Sequence, residues 1–271
     1  MRILFVADVY ARTGRRVAAA CIPALIRDRQ VDFCIVNGEN AAGGFGLTEN
    51  IAGKFFSYGA DVITTGNHVW DRKDFIPRLN RLERVLRPFN YPPSNAGRGS
   101  LVVESRQGVP VGVLNLQGRT HLPSIDCPFR LGRAEAERLR QQAPIVFVDF
   151  HAEATAEKVA MGWHLDGIAS AVIGTHTHVQ TADERLLPKG TAYLTDAGMT
   201  GPHDSVIGVR HPIAIQRFIS QVHVKFKPAE GNPKLCGALI DVDPDSGRAT
   251  GIERLQLDLE FESDQGDGEG D

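Results

Sequence analysis

Short apolar runs alternate with segments of helical period along most of this chain, a pattern that restricts it to an α/β architecture in which helices pack as layers on sheets. The runs place strands near residues 2–7, 31–37, 61–65, 101–105, 109–116, 144–150, 168–174 and 191–195. Helices are expected over 14–29, 48–58, 72–82, 130–142 and 154–163. Beyond residue 220 the pattern changes to "VHVKFKP", "KLCGALIDVD" and "GIERLQLDLEF", with "DPDSG" between the last two, which reads as a closing β-hairpin.

With 271 residues, 42% of them hydrophobic, the chain can bury a sizeable core, and we expect one domain over 1–261. The last ten residues, "ESDQGDGEGD", hold five acids, no base and no apolar side chain, so a disordered tail is expected at 262–271. The net charge is −3, which leaves the body at about +2 and gives no general attraction to nucleic acid or to a membrane. The four cysteines form no CxxC pair, which argues against a disulfide framework or a thiolate zinc site and fits the reducing cytoplasm. "ILFVADVY" is too short to span a membrane, carries Asp8 and lacks the pattern of a secretory signal, so it reads as a first strand.

The polar residues that end these strands are the next observation. "ILFVA" ends at Asp8, "FCIV" runs into "NGEN" with Glu39 and Asn40, and "DVITTG" ends at Asn67 and His68. "IVFVDF" ends at His151, and "SAVIGT" ends at His176 and His178. Taken singly, such an Asp, Asn or Glu is most often a turn former or a helix N-cap. Five strands ending in oxygen or imidazole donors, with no Lys or Arg among them, fit a shared site beyond the carboxyl ends of a sheet.

Carboxylate, amide and imidazole donors without thiolate suit manganese, iron or zinc. A His-X-His pair on an extended segment sends both rings to one face. Seven donors exceed one tetrahedral ion, whereas two ions sharing a carboxylate would use them, an arrangement recurrent in phosphoester hydrolysis.

The order Asp8, "GEN", "GNH", His151, "THTH" resembles the calcineurin-like metallophosphoesterase superfamily. More closely, "NGENAAGGFGLT", "TTGNHVWD", "DFHAEATAEK" and "GMTGPHDSVIG" resemble the bacterial YmdB-like phosphodiesterases, which act on 2′,3′-cyclic nucleotides. The resemblance covers Asp8 to about Gly208 and implies a layered β-sheet sandwich flanked by helices. It implies that Asp8, Asn40 and His178 hold one ion, that Asn67, His151 and His176 hold the other, and that Glu39 bridges them. Iron is expected first, with manganese or zinc as alternatives. The chain departs from the wider pattern where "DVY" replaces Asp-X-His, so Asn40 is assigned the ligand role that Tyr10 cannot fill. Glu39 stands where Asp is commoner, and Val69 follows Gly-Asn-His where an acid is usual.

The implied chemistry is attack on phosphorus by a hydroxide bridging the two ions. His68, beside the ions without binding them, is the candidate acid that protonates the leaving ribose oxygen, and Asp71 is the candidate to orient it. The expected substrate is a small cyclic nucleotide such as 2′,3′-cAMP, without stable nucleic-acid binding, and a homo-oligomer is left open. The alternatives are a broader phosphodiesterase or phosphomonoesterase, or a metal-containing regulatory binding protein with little turnover.

Smaller expectations complete the reading. "AAGGFG" at 41–46 is read as a turn in preference to a phosphate clamp, and "GMTGP" at 198–202 as either a lid or a simple loop. Glu153 is read as complementing a helix dipole in preference to orienting His151, and Trp70 and Trp163 are read as packing residues.

Overall fold

In the computed structural model, which describes residues 1–261, two six-stranded sheets face each other with helices on their outer sides. The disorder expected at 262–271 lies outside the described residues. The first sheet holds β1 (Arg2–Val6), β2 (Phe33–Asn37), β3 (Val62–Thr64), β10 (Gly201–Pro202), β11 (Pro233–Val242) and β12 (Ala249–Asp258), with α1 (Ala11–Asp28) and α2 (Glu49–Ser57) outside it. The second holds β4 (Ser100–Glu104), β5 (Pro110–Gln117), β6 (Ile145–His151), β7 (Ala171–Thr175), β8 (Arg185–Leu186) and β9 (Ala192–Leu194), covered by α3 (Pro128–Arg140) and α4 (Thr155–Leu165). The remaining helix, α5 (His211–Ser220), follows β10.

The period-two geometry of a strand explains why the core strands read as continuous apolar runs. In β1, Ile3 and Phe5 enter the core between the sheets, while Leu4 and Val6 join the cluster beneath α1 and α2. In β6, Ile145 and Phe147 face inward and Val146, Val148 and Phe150 face α3 and α4. Phe5 and Phe147 meet across the sheets with ring centroids 5.2 Å apart, each burial contributing roughly 1.5–3 kcal/mol.

The parallel runs β1-β2-β3 and β5-β6-β7 bring their carboxyl ends to one rim, where the donor-bearing segments begin. The expected hairpin is present as β11 and β12, paired antiparallel through the "DPDSG" turn.

Other expectations are corrected. Residues 72–82 form no α-helix and instead hold a 3₁₀ turn at Ile76–Arg78, because Pro77 has no N–H and its ring excludes a helix interior. The helix at His211–Ser220 was not anticipated, although Pro212 at its first turn is a start signal. Ala214 is buried, but the helix's large apolar residues Ile215, Phe218 and Ile219 are 49%, 73% and 80% exposed. "VHVKFKP" alternates like a strand but forms none. The 198–202 segment is not a lid: it is buried, and Gly201 and Pro202 pair with β11. Trp163 is 52% exposed beneath Arg185, not a packing residue.

Candidate metal centre

Gly66 decides how closely the walls of the site approach. A Cβ there would fall 1.8 Å from Glu39 Oε2 and 2.3 Å from His151 Cδ2, so only glycine lets the segment bearing Asn67 pass beside both. His151, wholly buried at the end of β6, places Nε2 3.1 Å from Asn67 Oδ1, 3.0 Å from Glu39 Oε1 and 3.0 Å from His176 Nδ1. The ligand atoms of Glu39, His151 and His176 all lie within 4.8 Å of one another.

A second group lies beside the first. His178 Nε2 is 3.0 Å from Asn40 Nδ2 and 3.7 Å from Asp8 Oδ2, and Asp8 Oδ2 also accepts the His176 amide at 2.9 Å. As oriented, the Asn40 amide donates to His178, and flipping it would bring Oδ1 to the same point. The seven residues assigned from the sequence thus lie at one rim, Glu39, Asn67 and His176 about His151 Nε2, and Asp8 and Asn40 about His178 Nε2.

Hydrogen bonding fixes which ring nitrogens face inward. The Thr175 hydroxyl donates to Asp149 Oδ1 at 2.7 Å, so His151 Nδ1–H donates to Thr175 Oγ1 at 3.0 Å and leaves Nε2 as a bare lone pair. Asp149 Oδ2 accepts in turn from Asn37 at 2.9 Å and Thr64 at 2.5 Å. Likewise His178 Nδ1–H donates to the Ile207 carbonyl at 2.9 Å, and His176 Nε2 faces Glu153 at 3.1 Å. Such outer partners set ring orientation and ligand basicity in metal sites.

Burial shapes the charges. It pushes the carboxyls of Asp8 and Glu39 up to about 7 each and that of Asp149 up to about 6. Burial lowers His151 and His178 and takes His176 down to about 2, so the three imidazoles are neutral, the form that ligates metal. Asp8 Oδ1 and Glu39 Oε2 are buried without a hydrogen-bond partner among the described residues. Imidazole nitrogens facing one another without a proton between them, beside two orphaned carboxyl oxygens, fit cations.

The His-X-His segment is strained, with φ of 103° at His176 and 64° at His178. Such backbone costs on the order of 1–3 kcal/mol per residue and persists only where surroundings enforce it. Thr177 between them is held by the carboxylate of Asp196, whose Oδ2 accepts the Thr177 amide at 3.1 Å and its hydroxyl at 2.7 Å. Lys158, 1% exposed, reaches the same oxygen at 2.5 Å.

His68 lies 29% exposed beside this cluster, with Nδ1 2.8 Å from Asp71 Oδ2 and its ring edge-on to Phe45 at 5.0 Å. It helps to line a cavity of about 230 Å³ with His176, His178, Tyr10, Phe45 and Phe226. The 41–46 segment is a turn, as expected, closed by the Ala42 amide on the Gly46 carbonyl at 2.9 Å.

Residues 4–255 match a family model described as YmdB-like protein. The chain belongs to the YmdB-like family. A "2′,3′-cyclic-nucleotide 2′-phosphodiesterase" of Bacillus subtilis is 47% identical over 257 residues, covering 95% of this chain and 97% of that one. A solved structure of a hypothetical protein from Thermus thermophilus superimposes with a TM-score of 0.89 at 40% identity, over 95% of this chain and 99% of that one. A solved Mycoplasma pneumoniae protein described as a novel phosphatase also gives 0.89, at 33% identity over 95% and 93% of the two chains.

Sequence reasoning about this YmdB-like chain missed several polar groups around the centre, among them Asp149, Asp196, Thr175, Lys158 and the Ile207 carbonyl. Asp149 was legible in principle: a charge inside "IVFVDFH", two residues before His151, shares its face and needs buried partners. Thr175, Lys158 and the Ile207 carbonyl carry no such signal. Glu153 contacts His176, neither His151 nor a helix end, because α4 begins at Thr155. Among the described residues, no helix is long and apolar enough to cross a membrane.

Proposed function

We propose that residues 1–261 act as one catalytic domain that hydrolyses 2′,3′-cyclic nucleotides with two metal ions, iron first and manganese or zinc as alternatives. The observation that carries this reading is the convergence of Asp8, Glu39, Asn40, Asn67, His151, His176 and His178 at one rim, with Asp8 Oδ1 and Glu39 Oε2 buried there without a hydrogen-bond partner among the described residues. The Bacillus relative at 47% identity supports the cyclic-nucleotide substrate.

Asp8, Asn40 and His178 would hold one ion, Asn67, His151 and His176 the other, and Glu39 would join both. When bound, the pair supplies the charge that activates water and neutralises the phosphoryl oxygens. The chain's own part is positional and protonic. Thr175 and Asp149 keep the His151 proton on Nδ1, and Asp196 keeps the two histidines of the His-X-His segment turned inward. Asp71 accepts Nδ1–H of His68 and so favours the imidazolium, whose second proton, on Nε2, would pass to the ribose oxygen as its bond to phosphorus breaks. Phe45 and Phe226 offer apolar surface for a base at the same cavity. The four unpaired cysteines suit the cytoplasm.

Turnover by purified protein, with Mn²⁺ or Fe²⁺ added, on 2′,3′-cyclic nucleotides, linear diesters and monoesters tests the reading. Fastest hydrolysis of a 2′,3′-cyclic nucleotide supports it. A preference for monoesters replaces it with a phosphatase, and ligand binding without turnover replaces it with a regulatory protein.

A further inference from the structure

The cavity of about 230 Å³ beside the metal centre holds a donor that the proposed reaction has not used. Among the described residues that line it, Glu153 is acidic and none is Lys or Arg. A phosphoryl group brought to the metals therefore meets no cationic side chain in this wall, and an oxygen of that group turned toward the cavity needs a neutral donor. The Thr177 hydroxyl is engaged, donating to Asp196 at 2.7 Å, as are the Asn40 amide, 3.0 Å from His178 Nε2, and His178 Nδ1–H, which donates to the Ile207 carbonyl at 2.9 Å. His68, paired with Asp71, is assigned to the leaving oxygen.

Tyr10 differs from these. It is 3% exposed and lines the cavity, yet its hydroxyl has no hydrogen-bond partner among the described residues. A hydroxyl so nearly enclosed is costly to leave unpaired. The residue follows Asp8 by two positions, directly before α1, and its ring stands edge-on to His178 with centroids 5.6 Å apart. Two glycines hold the ring in a slot. A Cβ at Gly44 would fall 2.8 Å from the Tyr10 hydroxyl oxygen and one at Gly208 2.7 Å from Tyr10 Cε1, and both glycines have φ of 100°. Only glycine lets both segments close on the ring in this way. A phenol clamped from two sides loses little freedom when it meets a ligand.

We propose that Tyr10 is a substrate contact whose phenol O–H donates to a non-bridging phosphoryl oxygen of the ester at the metal centre. This assignment rests on the two-metal reading of the same site. The phenol keeps its proton at neutral pH, and its hydrogen bond strengthens where negative charge gathers on that oxygen in the transition state. Cyclic nucleotides, linear diesters and monoesters all carry such an oxygen, so the contact does not depend on base or leaving group.

Tyr10→Phe keeps the ring in its slot and deletes only the hydroxyl, and thermal melts and metal analysis should match the wild type. Its kcat/KM should fall about 10–100-fold, the scale of a hydrogen bond to a charged group, and by the same factor on a 2′,3′-cyclic nucleotide and a nitrophenyl diester. That equality separates Tyr10 from His68, whose loss depends on the leaving group. Calorimetric titration of metal-loaded protein with inorganic phosphate reads the contact without turnover, and the variant should bind about tenfold more weakly. Unchanged kcat/KM, a loss confined to the cyclic nucleotide, unchanged phosphate affinity or loss of metal overturns the contact. Should the wild type prefer a monoester, the proposed substrate fails while the same comparison, made on that monoester, still tests Tyr10. Should it turn over none of these esters, the hydrolytic reading fails and the phosphate titration alone decides the contact.

Discussion

His151 and His176 face each other nitrogen to nitrogen, Nε2 3.0 Å from Nδ1. Thr175 accepts the ring N–H of the first at 3.0 Å and Glu153 stands 3.1 Å from the other nitrogen of the second, so neither inward nitrogen carries a proton to share. Two lone pairs at that separation repel unless a cation lies between or beside them. The rest of the account follows from this juxtaposition.

Thr175→Val tests how the protein imposes it. Valine keeps the volume of the side chain but cannot accept from His151 Nδ1, so the ring loses the partner that fixes its tautomer. Metal affinity should fall about 10–100-fold, the range seen when outer-shell partners of metal-binding histidines are removed. Titration against a competing chelator reads this, and unchanged affinity would show that the Asp149–Thr175 pair is only structural.

The pH dependence of the metal-free protein follows from Glu39. Its carboxyl rises from 4.5 to about 7 in the fold because burial penalises the charged form. Between those values the folded chain holds a proton that the unfolded chain has released, so this group lowers stability as pH rises through the window, with the full cost above about 7. Glutamine has no proton to lose there. In thermal melts without metal, Glu39→Gln should therefore gain on the wild type as pH rises from 4.5 to 7. With metal the order should reverse, because the variant loses the bridging oxygen. A difference between the two proteins that is flat with pH would contradict the buried-carboxylate argument.

For His68 the leaving group separates the readings. His68→Ala should keep its metal yet lose about 10²–10⁴-fold in rate on a 2′,3′-cyclic nucleotide, the span typical of general acid catalysis. A nitrophenyl diester departs as a stable phenolate and should suffer much less. Equal losses on the two substrates would make His68 a phosphate contact and no proton donor.

The architecture and the seven convergent donors were legible because both rest on local signals: apolar runs of strand length, and polar residues where those runs stop. The 72–82 segment misled because its apolar spacing fits a helix while Pro77 forbids one. The helix at His211–Ser220 escaped because its large apolar residues Ile215, Phe218 and Ile219 are exposed and only Ala214 is buried. Lys158 and Thr175 were invisible as partners because their roles depend on contacts with Asp196 and Asp149, 38 and 26 residues away in sequence.

The Lys158–Asp196 pair yields a prediction of its own. Both side chains are 1% exposed, and removing one charge of such a pair leaves the other desolvated and alone. Lys158→Met should cost about 3–5 kcal/mol in denaturant unfolding of the metal-free protein. A cost below about 1 kcal/mol, the scale of an exposed pair, would mean that Asp196 does not need Lys158 to hold Thr177.

The central claim is that two ions share one buried donor set in the active protein. Anomalous diffraction from crystals of metal-loaded chain with confirmed turnover measures it directly. The account predicts two peaks about 3.5–4 Å apart, with Glu39 between them, His151 and His176 at one and His178 at the other. A single peak, or ions bound away from Glu39, in protein that turns over at full rate would contradict it.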